Sequence, residues 1–252
     1  MPLSHSAHDH RELIKRWRAL AKPLGAKMEI LWESDDFPIH VLRTKSAGEG
    51  GLYVSAGIHG DEAAGAWGML DFVEKNVESI AGIPATIVPC MNPWGFINNV
   101  RTDESGNDLN RWFLRESDPR MKAWRSLVDG LVPALSLCFH EDYDARGCYI
   151  YEHGAGDTPL GWDALVAATE HIPYDSRKTI EGKRAKDGLI WIRRMPDFGD
   201  ELPESIALHQ LGSKRSLTIE TPSELDIERR IAAHRMIAEC VFFKTFQPRL
   251  RQ

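Results

Sequence analysis

The chain has 252 residues, with 31 Lys+Arg against 37 Asp+Glu, for a net charge of −6. Apolar residues make up 42%, enough to fill a core and too many for a disordered chain. No run approaches the ~20 uninterrupted apolar residues of a membrane span, the start MPLSHSAHDHRE lacks the pattern of a secretion signal, and the acidic balance supplies no positive field for a phosphate backbone.

Neither a membrane nor a nucleic-acid partner is therefore expected. No linker, repeat or low-complexity tract divides the sequence, so one domain over 1–252 is expected, with 1–27 as an N-terminal tail and helix. Cys90, Cys138, Cys148 and Cys240 form no C-x-x-C pair. They read as reduced thiols of a cytoplasmic protein.

Residues 28–44 predict two short strands around a turn at Asp35–Asp36, with Pro38 favouring a sheet edge. GEGG at 48–51 is a tight loop before a buried strand, Leu52–Ala56. Trp67, Leu70, Val73 and Val77 form the apolar stripe of an amphipathic helix over 62–78. A strand follows at Ala85–Met91, a helix at 117–131 and a third buried strand at Leu135–Phe139. Thr158-Pro159 has the chemistry of a helix start. The segment 180–215 is ambiguous apart from a strand at Leu189–Ile192. After a strand at Leu217–Ile219, Ser223 and Asp226 read as a capping box opening the last helix, striped by Ile227, Ile231, Ala238 and Val241. Strands alternating with helices predict an α/β fold, with helices on both faces of a largely parallel sheet. Sites in such folds gather at the carboxyl ends of the strands.

Four predicted strand ends carry polar residues. His59 and Glu62, in GIHGDE, are close enough to share one ion; the same residues also suit a helix cap. His140 leaves the third buried strand and would add a second imidazole. Two His and one Glu form a hydrolytic zinc set with the fourth position open; the metal lowers the pKa of water and polarises a carbonyl. The loop from Met91 to Arg111 concentrates Arg101 and Arg111 among amides. It reads as a surface loop, or as a carboxylate grip that needs the planar fork of arginine. Glu220 ends the last strand just before Pro222. It is either a residue preceding the helix cap or a general base whose pKa burial raises. His5, His8 and His10 fall in the N-terminal tail, and His153, His171, His209 and His234 read as structural or surface residues.

Together HGDE, NPWGF, DLNR, His140 and IETP, in this order over about residues 52–222, resemble the zinc carboxypeptidase family. The likeness is greatest to its small bacterial members that cut peptidoglycan-type peptides. It extends to the related aspartoacylase and succinylglutamate desuccinylase deacylases. The resemblance implies a three-layer αβα sandwich around a central mixed sheet, of the phosphorylase/hydrolase-like type, and one Zn2+ per chain. It also implies His59, Glu62 and His140 as zinc ligands, with Asp108 holding the His59 ring. Arg101 would stabilise the oxyanion, and Asn110 and Arg111 would bind the substrate's terminal carboxylate. Glu220 would take the proton of zinc-bound water and pass it to the leaving amine. Two positions depart from the family pattern. Asp61 stands where the well-known carboxypeptidases have Arg, and 180–219 contains no Tyr to match their mobile-loop tyrosine. Tyr143, Tyr149, Tyr151 and Tyr174 follow His140 but fall elsewhere.

The activity implied is hydrolysis of an amide beside a residue with a free carboxylate, the substrate being a small peptide. An N-acyl amino acid deacylase is the alternative, and a non-catalytic zinc-binding scaffold a third reading.

Overall fold

Leu52–Ala56 is buried at every position, the pattern of a strand covered on both faces. In the computed structural model this strand lies centrally in an eight-stranded sheet. The structure describes residues 6–34, 36–44, 50–113, 115–154, 156, 158–194, 199 and 201–250, with backbone alone at 247–250. The strands in chain order are β1 (Ala26–Trp32), β2 (Ile39–Thr44), β3 (Leu52–Ala56), β4 (Ala85–Val88), β5 (Leu135–Asp142), β6 (Tyr149–Gly154), β7 (Thr179–Ile180), β8 (Lys183–Arg184), β9 (Leu189–Ile192) and β10 (Arg215–Pro222). Their order across the sheet is β1-β2-β4-β3-β5-β10-β6-β9, with β7 and β8 paired separately. β4, β3, β5 and β10 run parallel, whereas β2 and β6 pair antiparallel to this block at either side. The sheet is therefore mixed, as the family resemblance implies, and not the largely parallel one that the strand–helix alternation predicts.

The helices are α1 (His10–Ala21), α2 (Ala63–Lys75), α3 (Val77–Ala81), α4 (Pro93–Asn98), α5 (Pro119–Val128), α6 (Gly161–Ala168), α7 (Glu204–Gln210) and α8 (Ile227–Leu250). Side chains of a strand alternate between faces, and here the alternation separates packing from chemistry. Val54, Leu137, Phe139, Leu217 and Ile219 pack with Trp67, Phe72 and Phe242 of α2 and α8. Each such residue contributes roughly 1.5–3 kcal/mol on burial. The intervening residues Ser55, His140, Thr218 and Glu220 face the side of α5 and α7. There Trp124 and Leu208 share an apolar cluster with Tyr53 and Cys138. Helices on both faces complete the three layers.

Several boundaries differ from those predicted, each for a local reason. The helix expected over 62–78 breaks at Asn76, whose side-chain amide donates to Phe72 O and to Glu239. β4 stops at Val88, before Pro89 removes a ladder donor. Thr158-Pro159 does not open α6. The buried Glu152 carboxylate accepts from the N–H groups of Leu160 and Gly161 at 3.0 and 2.8 Å, so the helix begins two residues later. Asp226, and not Ser223, caps α8, accepting from Arg229 N. In the N-terminal segment, His8 and His10 pack against Phe96, and His8 Nδ1 meets Phe96 O at 2.9 Å. Asp35, Gly48, Glu49 and His5, which enter the predicted turn, loop and tail, lie outside the described residues.

Candidate metal centre and cleft

The chain leaves β3 at Gly57, whose φ of +65° suits glycine and turns the backbone across the carboxyl edge of the sheet. A Cβ on Gly60 would run into the backbone of Gly95, so the HGDE and NPWGF loops pack against one another without side chains between them. α2 then starts at Ala63, directly after Glu62. β5 runs three residues beyond its predicted end, which keeps His140 inside the strand. β10 likewise extends through Pro222, and Glu220 falls in register beside His140.

These strand ends bring the predicted ligands together. His59 Nδ1 lies 2.6 Å from Glu62 Oε1 and His140 Nδ1 2.9 Å from Glu62 Oε2, all three residues being 3% exposed. Their ligating atoms lie within 4.8 Å of one another, which makes the trio a group able to hold a metal ion. Burial works to raise the Glu62 carboxyl, but the two imidazoles outweigh it and hold the group below its ordinary value. Burial likewise works against a charged His59, and the Glu62 and Asp108 carboxylates overcome it and raise that ring.

Asp108 stands behind His59. Its Oδ1 meets His59 Nε2 at 3.1 Å and accepts from Asn110 N, while Oδ2 accepts from Arg101 Nη2 at 3.0 Å. One carboxylate thus fixes an imidazole, an arginine and the turn that leads to Arg111. Asp108→Asn should weaken metal affinity by roughly 10–100-fold, because the uncharged amide orients the ring less firmly and lowers its basicity. Competition with a chromogenic chelator measures this; unchanged affinity would show that Asp108 does not support the ring.

His59, Glu62, Arg101, Asn110, Arg111, His140 and Glu220 line a cleft of about 500 Å³. Asn110 commits its carbonyl oxygen to Glu204 N at the start of α7, leaving its NH2 end for the cleft. Arg111 bonds the Asn110 carbonyl at 3.1 Å, and Arg101 Nη1 lies 3.5 Å from Glu62. Desolvation pushes the Glu220 carboxyl well above its ordinary value; His140 opposes this, and Glu62, Glu181 and Asp142 reinforce it.

Other lining residues are ones to which the sequence assigned no role in the site. Tyr149 and Tyr151 of β6 form one wall with ring centroids 5.8 Å apart; their hydroxyls donate to Asp142 and Glu181. Their signal was the alternation of Tyr149, Tyr151 and His153. His153, read as structural or surface, is 1% exposed yet reaches the cleft, because β6 turns this alternate set toward it. Burial and then the neighbouring His209 hold the His153 ring at about 4. The folded state therefore stays neutral at pH values where the unfolded chain, near 6.5, takes up a proton. Stability from this group is full above pH 6.5 and falls, by at most about 1.4 kcal/mol per pH unit, as the pH drops toward 4. The stability difference between wild type and His153→Gln should shift by this slope in urea titrations from pH 7 to 4. A constant difference would mean that the ring titrates alike in both states.

The mixed sheet with helices on both faces has the α/β fold of carboxypeptidase-like proteins, and comparison with known proteins bears this out. Residues 50–136 match the family model of the succinylglutamate desuccinylase/aspartoacylase catalytic domain. A Shewanella amazonensis SB2B protein, itself only provisionally assigned as a metallopeptidase, superposes with a TM-score of 0.83 at 22% identity, over 94% of each chain. A metallo-carboxypeptidase from Burkholderia cenocepacia gives 0.66 at 18% identity, over 92% of this chain and 68% of that one. The Pseudomonas aeruginosa metallo-carboxypeptidase in complex with (2-guanidinoethylmercapto)succinic acid gives 0.62 at 20% identity, over 96% and 70%. These likenesses establish the fold. No curated protein sequence matches the chain. Among the described residues, no helix is long and apolar enough to cross a membrane.

Proposed function

We propose that this protein is a zinc-dependent hydrolase of the metallocarboxypeptidase type, cleaving the amide bond beside a terminal residue whose carboxylate is free. One observation carries the reading. Glu220 lies in register with His140 on the neighbouring parallel strand, so a desolvated carboxyl stands beside the three candidate ligands in a cleft also lined by Arg101 and Arg111.

His59, Glu62 and His140, whose ligand atoms converge within 4.8 Å, would hold the ion, and two imidazoles with one carboxylate are a donor set that suits zinc. When bound, zinc supplies Lewis acidity that polarises a carbonyl and lowers the pKa of water to about 7. The remaining work falls to the chain's own side chains. Arg111 grips the substrate carboxylate with its planar fork, and the Asn110 amide donates beside it. Arg101 faces the ligand cluster, where its charge stabilises the oxygen that becomes anionic as the carbonyl is attacked. Glu220 accepts the proton of the attacking water and delivers it to the leaving amine, a cycle favoured by a carboxyl that burial makes more basic than an exposed one. Asp108 keeps Arg101 and His59 in place throughout.

The match to the deacylase model favours a second reading, hydrolysis of an N-acyl amino acid by the same residues. Incubating the zinc-loaded protein with blocked dipeptides and with N-acetyl and N-succinyl amino acids separates the two. The expected result is a higher kcat/KM on the dipeptides, abolished by chelation and restored by zinc. The reverse preference would assign the deacylase reaction, and no hydrolysis of either set would overturn both readings.

A further inference from the structure

The cleft extends past the catalytic end of the sheet along β6 and β10, and the register of that pair defines its depth. Glu220 stands opposite Tyr149, Thr218 opposite Tyr151, and Ser216 opposite His153. Each two-residue step is about 7 Å, so His153 lies roughly 13 Å along the sheet from Glu220. From the level of Thr218 and Tyr151 the remaining step to His153 is about 7 Å, a distance that only a long side chain approaches. Ile192 and Ile206 line the cleft together with the two tyrosines.

At that depth the lining residue His153 carries an unpartnered polar atom, and two more lie buried behind the wall. His153 is 1% exposed and its Nδ1 has no hydrogen-bond partner; Ser216, at 0%, has an unpartnered Oγ. Behind His153 the ring of His209 lies 6.2 Å away, with its own Nδ1 unpartnered. The ring of His153 is neutral at physiological pH, held at about 4. The charged lining residues on this side are elsewhere. Glu181, Lys183 and Glu201 are exposed at the mouth, and Asp142 sits at the end of β5 in contact with the Tyr149 hydroxyl. A basic side chain would find no carboxylate at the depth of His153. An acidic one would find no cation there and would pass Glu220, Glu181 and Asp142 on the way. An apolar one would seal unpaired polar atoms away from water, at a cost of about 1–3 kcal/mol each.

We propose that His153, with Thr218 near it on β10, is the specificity-determining residue of this cleft, selecting a terminal residue with a long side chain that ends in an uncharged hydrogen-bonding group, a phenol or a carboxamide. The inference rests on reading the cleft as the place where the substrate's terminal residue docks. Sites built to pair a polar substrate group discriminate strongly against the analogue that lacks it.

The test uses zinc-loaded full-length protein and two readouts. The first is kcat/KM for blocked dipeptides ending in Tyr, Phe, Gln, Met, Glu and Lys. The second is calorimetric binding of the six free amino acids. Wild type should prefer Tyr over Phe and Gln over Met by on the order of 10²-fold, with Glu and Lys below both polar neutral residues. His153→Leu should bring the Tyr/Phe and Gln/Met ratios to near one, and His153→Gln, which keeps a hydrogen-bonding tip, should retain most of the preference. Hydrolysis without that preference, or a preference untouched by His153→Leu, overturns the proposal and leaves the hydrolase reading intact. Selective binding without hydrolysis supports the proposal and removes the hydrolase reading. Neither binding nor hydrolysis across the panel overturns both.

Discussion

Glu220→Gln is expected to lower kcat by about 10²–10⁴-fold, the range of a lost general base, with zinc content unchanged. The amide keeps the size of the carboxylate and accepts no proton at neutral pH. The metal should stay because Glu220 is not among the three converging ligands; it is their neighbour across the β5–β10 pairing. Steady-state kinetics with metal analysis on the same preparation separates the two effects. A fall in zinc parallel to activity would recast Glu220 as part of the metal site, and full activity would remove it from the mechanism.

The second large effect concerns the scaffold beneath the site. Glu141 follows His140 on β5 and turns to the opposite face, where its carboxylate is buried. It accepts from Arg230 of α8, from Ala64 N at 2.8 Å and from Thr221 at 3.3 Å. Burial still pushes the Glu141 carboxyl up to about 7 against the pull of Arg230. At pH 8 and above, where Glu141 is ionised beside its cation, Arg230→Met should therefore destabilise the fold by up to about 3–5 kcal/mol, the loss shrinking at lower pH as the carboxyl takes up a proton. Adding Glu141→Gln should recover a substantial part, because a neutral amide costs less to bury unpaired. Urea unfolding of the two variants measures both numbers. A loss below about 1 kcal/mol for Arg230→Met would be the size of a solvated surface pair.

Legibility in the sequence followed how local each determinant was. His59 and Glu62 are three residues apart on one turn, His140 and Glu220 each end an apolar run, and their meeting needs only that those runs be adjacent parallel strands. β6 was harder to read. No strand is predicted there, because what holds its polar residues lies beyond the local pattern: Glu152 pairs with Arg215, 63 residues on, and with the start of α6, and His153 faces the cleft. Glu152 also explains the misplaced start of α6, since a capping carboxylate eight residues upstream replaces the local Thr158. α7 spans seven residues, too few for an apolar stripe to repeat, although it carries the buried Glu204 that accepts from Tyr53 and Ser55. At α8, Ser223 and Asp226 both have capping side chains one turn apart, and the sequence alone does not rank them.

The antiparallel placement of β6 has an evolutionary consequence. The groups proposed to break the bond come from the ends of parallel strands and from the 91–111 loop. Those proposed to face the substrate's side chain are carried mostly by a separate stretch, from β6 through the β7–β8 pair to β9. Mutations accumulating in residues 149–192 can therefore change what is recognised while the hydrolytic machinery stays fixed.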